Sequence, residues 1–70
     1  MQNQSQQTRL LRRPEVEQRT GLKRSSIYSL MKDGAFPQSV ALGQRAVAWV
    51  EGEIEVWIDE RIHARQAKAA

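Results

Sequence analysis

Three groups of side chains in this chain are equipped for chemistry: one histidine, a set of carboxylates late in the sequence, and a set of cations interleaved with serines early in it. His63 has no second histidine beside it, and the chain holds no cysteine, so neither a transition-metal cluster nor a thiol nucleophile is expected. On a helix that advances about 100° per residue, His63 stands about 220° from Val50, off the apolar stripe, where a solvated histidine is expected. Glu51, Glu53, Glu55, Asp59 and Glu60 form a charged helix face that reads as solvent contact rather than as an acid–base pair. The glycines are scattered as turn and cap residues and make no phosphate-cradling loop. These residues predict no enzyme, no cofactor and no metal.

The early group is different. Between Lys23 and Lys32 the sequence reads KRSSIYSLMK, with no acid until Asp33. On a helix, Ser25, Ser29 and Lys32 fall opposite Ile27, flanked by Tyr28 and Ser26, with Arg24 near the boundary in the first turn. Such a face is slim enough to enter a DNA major groove about 12 Å wide. Lys23 and Arg24 reach a phosphate or a guanine edge, the hydroxyls of Ser25, Ser26 and Ser29 bond phosphate or base, and Lys32 suits a backbone phosphate. Further on, Gln44 and Arg45 stand at a hairpin tip, where Arg45 would meet an adjacent backbone or a narrow minor groove. Plainer readings compete at several positions. Ser25 and Ser26 lie where serine caps a helix, and Tyr28 can pack against the hairpin. Trp49 and Trp57 could stack on bases, but their place on apolar stripes favours core packing.

Such a face needs a fold behind it. Seventy residues make one small domain, and 40% hydrophobic with 27% charged residues is ordinary for a globular one. Domains near this size bury only about 60% of the surface their unfolded chain exposes, so a large catalytic cavity is not expected. The longest apolar run, Ala46 to Val50, is far short of the roughly 20 residues that span a bilayer. The start, MQNQSQQT, lacks the basic-then-apolar order of a secretory signal. A soluble, cytoplasmic protein without a membrane partner is the expectation. The net charge of +3 is unevenly spread. Arg9, Arg12, Arg13, Arg19, Lys23, Arg24 and Lys32 face only Glu15, Glu17 and Asp33, whereas acids outnumber cations from Ala35 onward. A polyanion would meet the first half, with the acidic last helix turned away.

The elements follow from local signals. Residues 1–8 read as a disordered tail and 66–70 as a frayed one, leaving 9–65 as the folded domain. Leu10-Leu11 suggests a short strand or extended lead-in, and Pro14 a first helix of two turns that Gly21 ends at Thr20. A second helix is expected from Arg24 to Asp33, its stripe Ile27, Leu30 and Met31, closed by Gly34. Thr20-Gly21-Leu22-Lys23 then joins two helices as a helix-turn-helix. Val40 and Leu42, then Val47 and Trp49, alternate as half-buried strands around the three-residue connection Gly43-Gln44-Arg45. A last helix from about Glu51 to Arg65 carries Ile54, Trp57, Ile58 and Ile62 on its apolar side, with Val50 just before it. The expected fold is α+β, mainly α: a winged helix-turn-helix of short helix, recognition helix, two-stranded hairpin wing and C-terminal helix.

Thr20-Gly21-Leu22, Arg24-Ser25-Ser26-Ile27-Tyr28, Gly34-Ala35-Phe36-Pro37, Leu42-Gly43, Arg45-Ala46-Val47-Ala48-Trp49, Glu53-Ile54 and Trp57-Ile58 occur here in one order. With that spacing the chain resembles the AlpA family of small phage-type transcriptional regulators over nearly its whole folded length. The resemblance implies a MerR-like winged helix-turn-helix akin to the excisionases of mobile elements. It also implies action at a prophage, plasmid or integrated-element promoter. One position departs from the family pattern: Lys23 stands where a serine or similar cap is usual before the second helix. Either Ser25 starts the helix later, or a cation–phosphate contact offsets the missing cap.

The leading reading is a sequence-specific regulator that binds double-stranded DNA. A related one is an excisionase-like architectural protein that bends DNA for a recombinase. A third, from another class, is a protein-interaction adaptor, motivated by Val56 and by a last helix that outruns the core. One such module has a small footprint, so a homodimer or tandem assembly on repeated half-sites is expected. Contact with a recombinase or with RNA polymerase belongs to the same reading.

Overall fold

Pro14 has no N–H to satisfy and a φ already set for a helix, so a helix opens around it at little cost. The computed structural model describes residues 8–69 and starts this helix one residue earlier, at Arg13. The expected N-terminal tail, residues 1–8, lies outside the described residues apart from Thr8. In chain order the elements are β1 (Leu10–Leu11), α1 (Arg13–Thr20), α2 (Arg24–Lys32), β2 (Val40–Ala41), β3 (Val47–Val50) and α3 (Glu51–Ala69). The first short helix ends at Thr20 as expected, and the second at Lys32, one residue before the expected Asp33, which is its C-cap. Gly21 adopts φ 76°, and its N–H donates to the Glu17 carbonyl at 2.8 Å. Gly34 adopts φ 72°, with its N–H on the Met31 carbonyl and the Ala35 N–H on that of Leu30. These are left-handed conformations that a Cβ disfavours.

The sheet has three strands where two were expected. β3 is central, flanked antiparallel by β1 (Leu10 opposite Val50, Leu11 opposite Trp49) and by β2 (Val40 opposite Ala48, Ala41 opposite Val47). The Glu51 N–H extends the first pairing by donating to the Arg9 carbonyl at 2.8 Å. A lone two-stranded hairpin is marginal in water, and the lead-in Leu10-Leu11 supplies the missing strand. The Leu42 N–H closes the Gly43–Arg45 connection on the Ala46 carbonyl at 2.7 Å. The expected alternation fails in both strands. Ala48 and Trp49 are both buried, although successive side chains point to opposite faces, while Val40 on the short edge strand and Leu42 just beyond it are exposed.

Six side chains form the core: Leu11, Val16, Ile27, Phe36, Trp49 and Ile54. Each comes from a different part of the chain, namely β1, α1, α2, the α2–β2 connector, β3 and α3. Leu30 and Met31 pack against this cluster from α2, as their spacing predicts, with Trp57 and Ile58 from α3. Both tryptophans also tie down the connector. The Trp49 indole N–H donates to the Pro37 carbonyl at 3.0 Å and the Trp57 indole N–H to that of Ala35 at 2.8 Å. Phe36 stands edge-on to Trp57 with ring centroids 4.9 Å apart.

α3 runs to Ala69, past the end expected at Arg65, because glutamine, alanine and lysine are good helix formers. Ile62, expected on the packed side, is exposed, since the helix has by then outrun the core. Gly52, in the first turn of α3, has open space where a Cβ would stand and no left-handed φ, so the fold gives no reason for a glycine there.

Gly21 and Gly52 therefore have opposite expectations in thermal or urea unfolding. Gly21→Ala forces a left-handed alanine and lowers stability by about 1–2 kcal/mol. Gly52→Ala removes a poor helix former and raises it by about 0.5–1 kcal/mol.

Candidate nucleic-acid interface

Where the acids of the first half go decides what the cations there can do. Within α1, the Arg13 Nε–H donates to Glu17 at 2.8 Å, and Arg19 donates to Glu15 at 2.9 Å. Arg19 also reaches across to α3, meeting Glu51 at 2.8 Å and Glu55 at 3.8 Å. Arg9 lies 3.6 Å from both Glu15 and Glu51. Hydrogen bonds that Arg19 donates to Glu51 first, then to Glu15, hold its guanidinium above the usual arginine pKa. Partly exposed pairs of this kind add little to stability. Their effect is to sort the charge.

Among the described residues, Arg12, Lys23, Arg24, Lys32 and Arg45 enter no ion pair. These five lie on and around α2 and the hairpin; Arg61 and Arg65 of α3 are also outside any ion pair, Arg61 with its guanidinium over the Trp57 ring. The nine positions singled out in the sequence, Lys23, Arg24, Ser25, Ser26, Tyr28, Ser29, Lys32, Gln44 and Arg45, are all exposed. Arg24, Tyr28 and Arg45 are brought together in one concavity, whose other lining residues are Arg12, Arg13, Pro14 and Val47. Ser25, Ser26, Ser29 and Lys32 lie outside it on α2, Lys32 about 12 Å along the axis from Arg24. Lys23 and Gln44 also lie outside the concavity, Lys23 immediately before α2 and Gln44 at the hairpin tip.

Two questions left open by the sequence have structural answers. Tyr28 packs and is exposed at once: its ring stands edge-on to Trp49 with centroids 6.2 Å apart, and the Arg24 guanidinium lies over the same ring, 5.7 Å from its centre. Helix α2 begins at Arg24, with extended Lys23 as its N-cap and no side-chain cap bond. A later start at Ser25 is thus ruled out. Ser25 and Ser26 are the second and third helical residues, too far in to cap.

Arg12 and Arg13, which the sequence marks only as two of the first-half cations, also line that concavity. They read as a lead-in to Pro14, yet the Arg12 Nε–H donates to the Val47 carbonyl at 3.1 Å, thirty-five residues away in sequence. A larger groove lies between the connector and α3, with Phe36, Pro37, Gly52, Val56 and Trp57 in its walls. Its charged residues are Glu53, Glu60 and Arg61, so it has no cationic character. His63 is exposed, with Nδ1 at 2.8 Å from the Asp59 carbonyl oxygen. Among the described residues no group of three histidines, cysteines or carboxylates could hold a metal ion, and no helix is long and apolar enough to cross a membrane.

Comparison with known proteins agrees with the sequence motifs. The model of the prophage CP4-57 regulatory protein (AlpA) family matches residues 9–62. The uncharacterized protein ORF88 of Enterobacteria phage P4 is 47% identical over 60 residues, covering 86% of this chain and 68% of its own length. The DNA-binding transcriptional activator AlpA of Escherichia coli K12 is 37% identical over 65 residues, covering 84% of this chain and 93% of its own.

The uncapped start of α2 yields a direct expectation. Lys23→Ser supplies the missing acceptor and raises stability by about 1 kcal/mol, read as a higher urea midpoint with an unchanged slope. A midpoint equal to or below that of the parent would show that those N–H groups need no cap.

Proposed function

This chain belongs to the prophage CP4-57 regulatory protein (AlpA) family, and from that membership we propose a sequence-specific, double-stranded DNA-binding transcriptional regulator of a prophage or other mobile element. One observation carries the reading: among the described residues, five cations without acid partners (Arg12, Lys23, Arg24, Lys32 and Arg45) lie on or beside α2 and the hairpin, next to an exposed serine face, and only Arg61 and Arg65 of α3 are unpaired elsewhere. In this reading α2 is the recognition helix and lies in the major groove. Arg24 bonds a guanine edge or a phosphate, and the short side chains of Ser25, Ser26 and Ser29 let the helix backbone approach the bases. Lys23 and Lys32 meet phosphates toward the two ends of the helix. The hairpin is the wing, setting Gln44 and Arg45 against the adjacent backbone or minor groove. Helix α3, with its early acids, faces away from the duplex.

A module of this size reads few base pairs, so two copies or a tandem array occupy repeated half-sites. Regulation then runs through a neighbour on the same DNA, RNA polymerase or a recombinase. Such a protein works in the cytoplasm, on the nucleoid. The named relative from Escherichia coli is an activator, which makes activation the first sign to test.

The experiment is a titration of duplex DNA flanking the protein's own gene across a range of salt. Log affinity should fall linearly with log salt, with a slope of about −0.9 for each phosphate neutralised. Arg24→Ala and Arg45→Ala should each weaken binding by about 1–3 kcal/mol while leaving the circular dichroism spectrum unchanged, because both side chains are exposed. No detectable binding to that DNA at low salt would end the proposal.

A further inference from the structure

The concavity that holds Arg24 also holds three other arginines, and we propose that Arg12, Arg13, Arg24 and Arg45 together form a clamp for one backbone phosphate of the duplex. The inference rests on the DNA-binding reading and adds two residues, Arg12 and Arg13, that belong to neither the recognition helix nor the wing. The four guanidinium-bearing residues arrive from three separate places: the β1–α1 junction, the start of α2 and the tip of the hairpin. Only Arg13 has an acid partner among the described residues, and it gives Glu17 its Nε–H. Three of the four, Arg12, Arg24 and Arg45, have no carboxylate beside them among the described residues, and cations lining one hollow favour the entry of an anion. Guanidinium forks match the oxygens of a phosphate, each able to present two parallel N–H donors.

What holds these side chains in place supports the same conclusion. Arg12 is anchored through Nε on a neutral carbonyl, that of Val47, at 3.1 Å, and among the described residues its terminal nitrogens make no hydrogen bond. Arg24 lies over the neutral ring of Tyr28. Both are oriented by partners that leave their charge uncompensated, whereas Arg19, which has a structural role, is surrounded by carboxylates. A phosphate seated here would lie between α2 and the hairpin, fixing the depth and register of the recognition helix. Phosphate contacts position a protein on DNA and carry no base information.

The test compares the parent protein with Arg12→Gln and Arg13→Gln on a duplex carrying the binding site and on a scrambled one, across salt. Each variant should lose affinity several-fold on both duplexes alike, with a salt slope shallower than the parent's by no more than the value of one phosphate, about 0.9. Replacing one phosphate by a neutral methylphosphonate should weaken the parent at a single backbone position and weaken the Arg12→Gln protein less at that same position. Because Arg12 also touches the hairpin, melting temperatures are measured alongside, and Arg13→Gln, which leaves the Arg12–Val47 bond intact, supplies the independent arm. If both variants keep the parent's affinity and slope on a duplex that Arg24→Ala no longer binds, the clamp is overturned and the DNA-binding reading stands. If the parent binds no duplex, the reading itself fails and the clamp goes with it. Inorganic phosphate raising the melting temperature of the parent more than that of Arg12→Gln, at matched ionic strength and without duplex binding, would assign the site to the free anion instead.

Discussion

Trp49 buries its whole side chain, pairs across the sheet with Leu11, donates its indole N–H to the Pro37 carbonyl and sets its ring against that of Tyr28. Through these contacts one residue fixes the first strand, the connector and the second helix relative to each other. The path continues outward, because Tyr28 in turn carries the guanidinium of Arg24. A domain of this size has few buried side chains, and its six-residue core draws one from every element but β2, with Phe36 from the connector. Apart from the edge strand β2, no element can be removed without opening a hole that the others line, and large-to-small changes in such a core typically cost several kcal/mol. The placement of the cationic face is therefore inherited from the packing behind it.

Electrostatics supplies the second organising constraint. Seven cations and three acids between Arg9 and Gly34 could have mixed into a neutral surface. Instead Glu15 and Glu17 are taken up by arginines of α1 and the β1 lead-in, and Arg19 draws in Glu51 and Glu55 from α3. That cluster braces α1 against α3. The cations around α2 and the hairpin are left uncompensated as a result, so the same ion pairs that join two helices also polarise the molecule.

What could be read from the sequence was local. Pro14, Gly21 and Gly34 mark helix ends through their own backbone preferences, the Ile27, Leu30 and Met31 stripe follows from helical geometry, and the Gly43–Arg45 connection from turn chemistry. The nine candidate contact residues were legible as exposed because they fall opposite that stripe or in that turn. Apart from the exact ends of α2 and α3, the misses depend on distant partners. Nothing near Leu10-Leu11 says that it pairs with β3, and nothing near Arg12 says that it reaches Val47. Period two implies one covered face, so it could not foresee β3 buried on both sides or β2 left bare at the edge. Ile62 follows the helical rule, but the core ends before it.

The pairing of β1 with β3, sealed by the bond from Glu51 to Arg9, has a consequence for how the molecule is made. During synthesis the first strand leaves the ribosome long before its partner exists, so α1 and α2 emerge as short segments with no sheet to rest on. Closure must wait until Trp49 has emerged, because only then can the two ends of that long loop meet. The domain is thus a late, all-at-once folder, and a chain cut short anywhere before β3 would give an unfolded peptide rather than a smaller version of the protein.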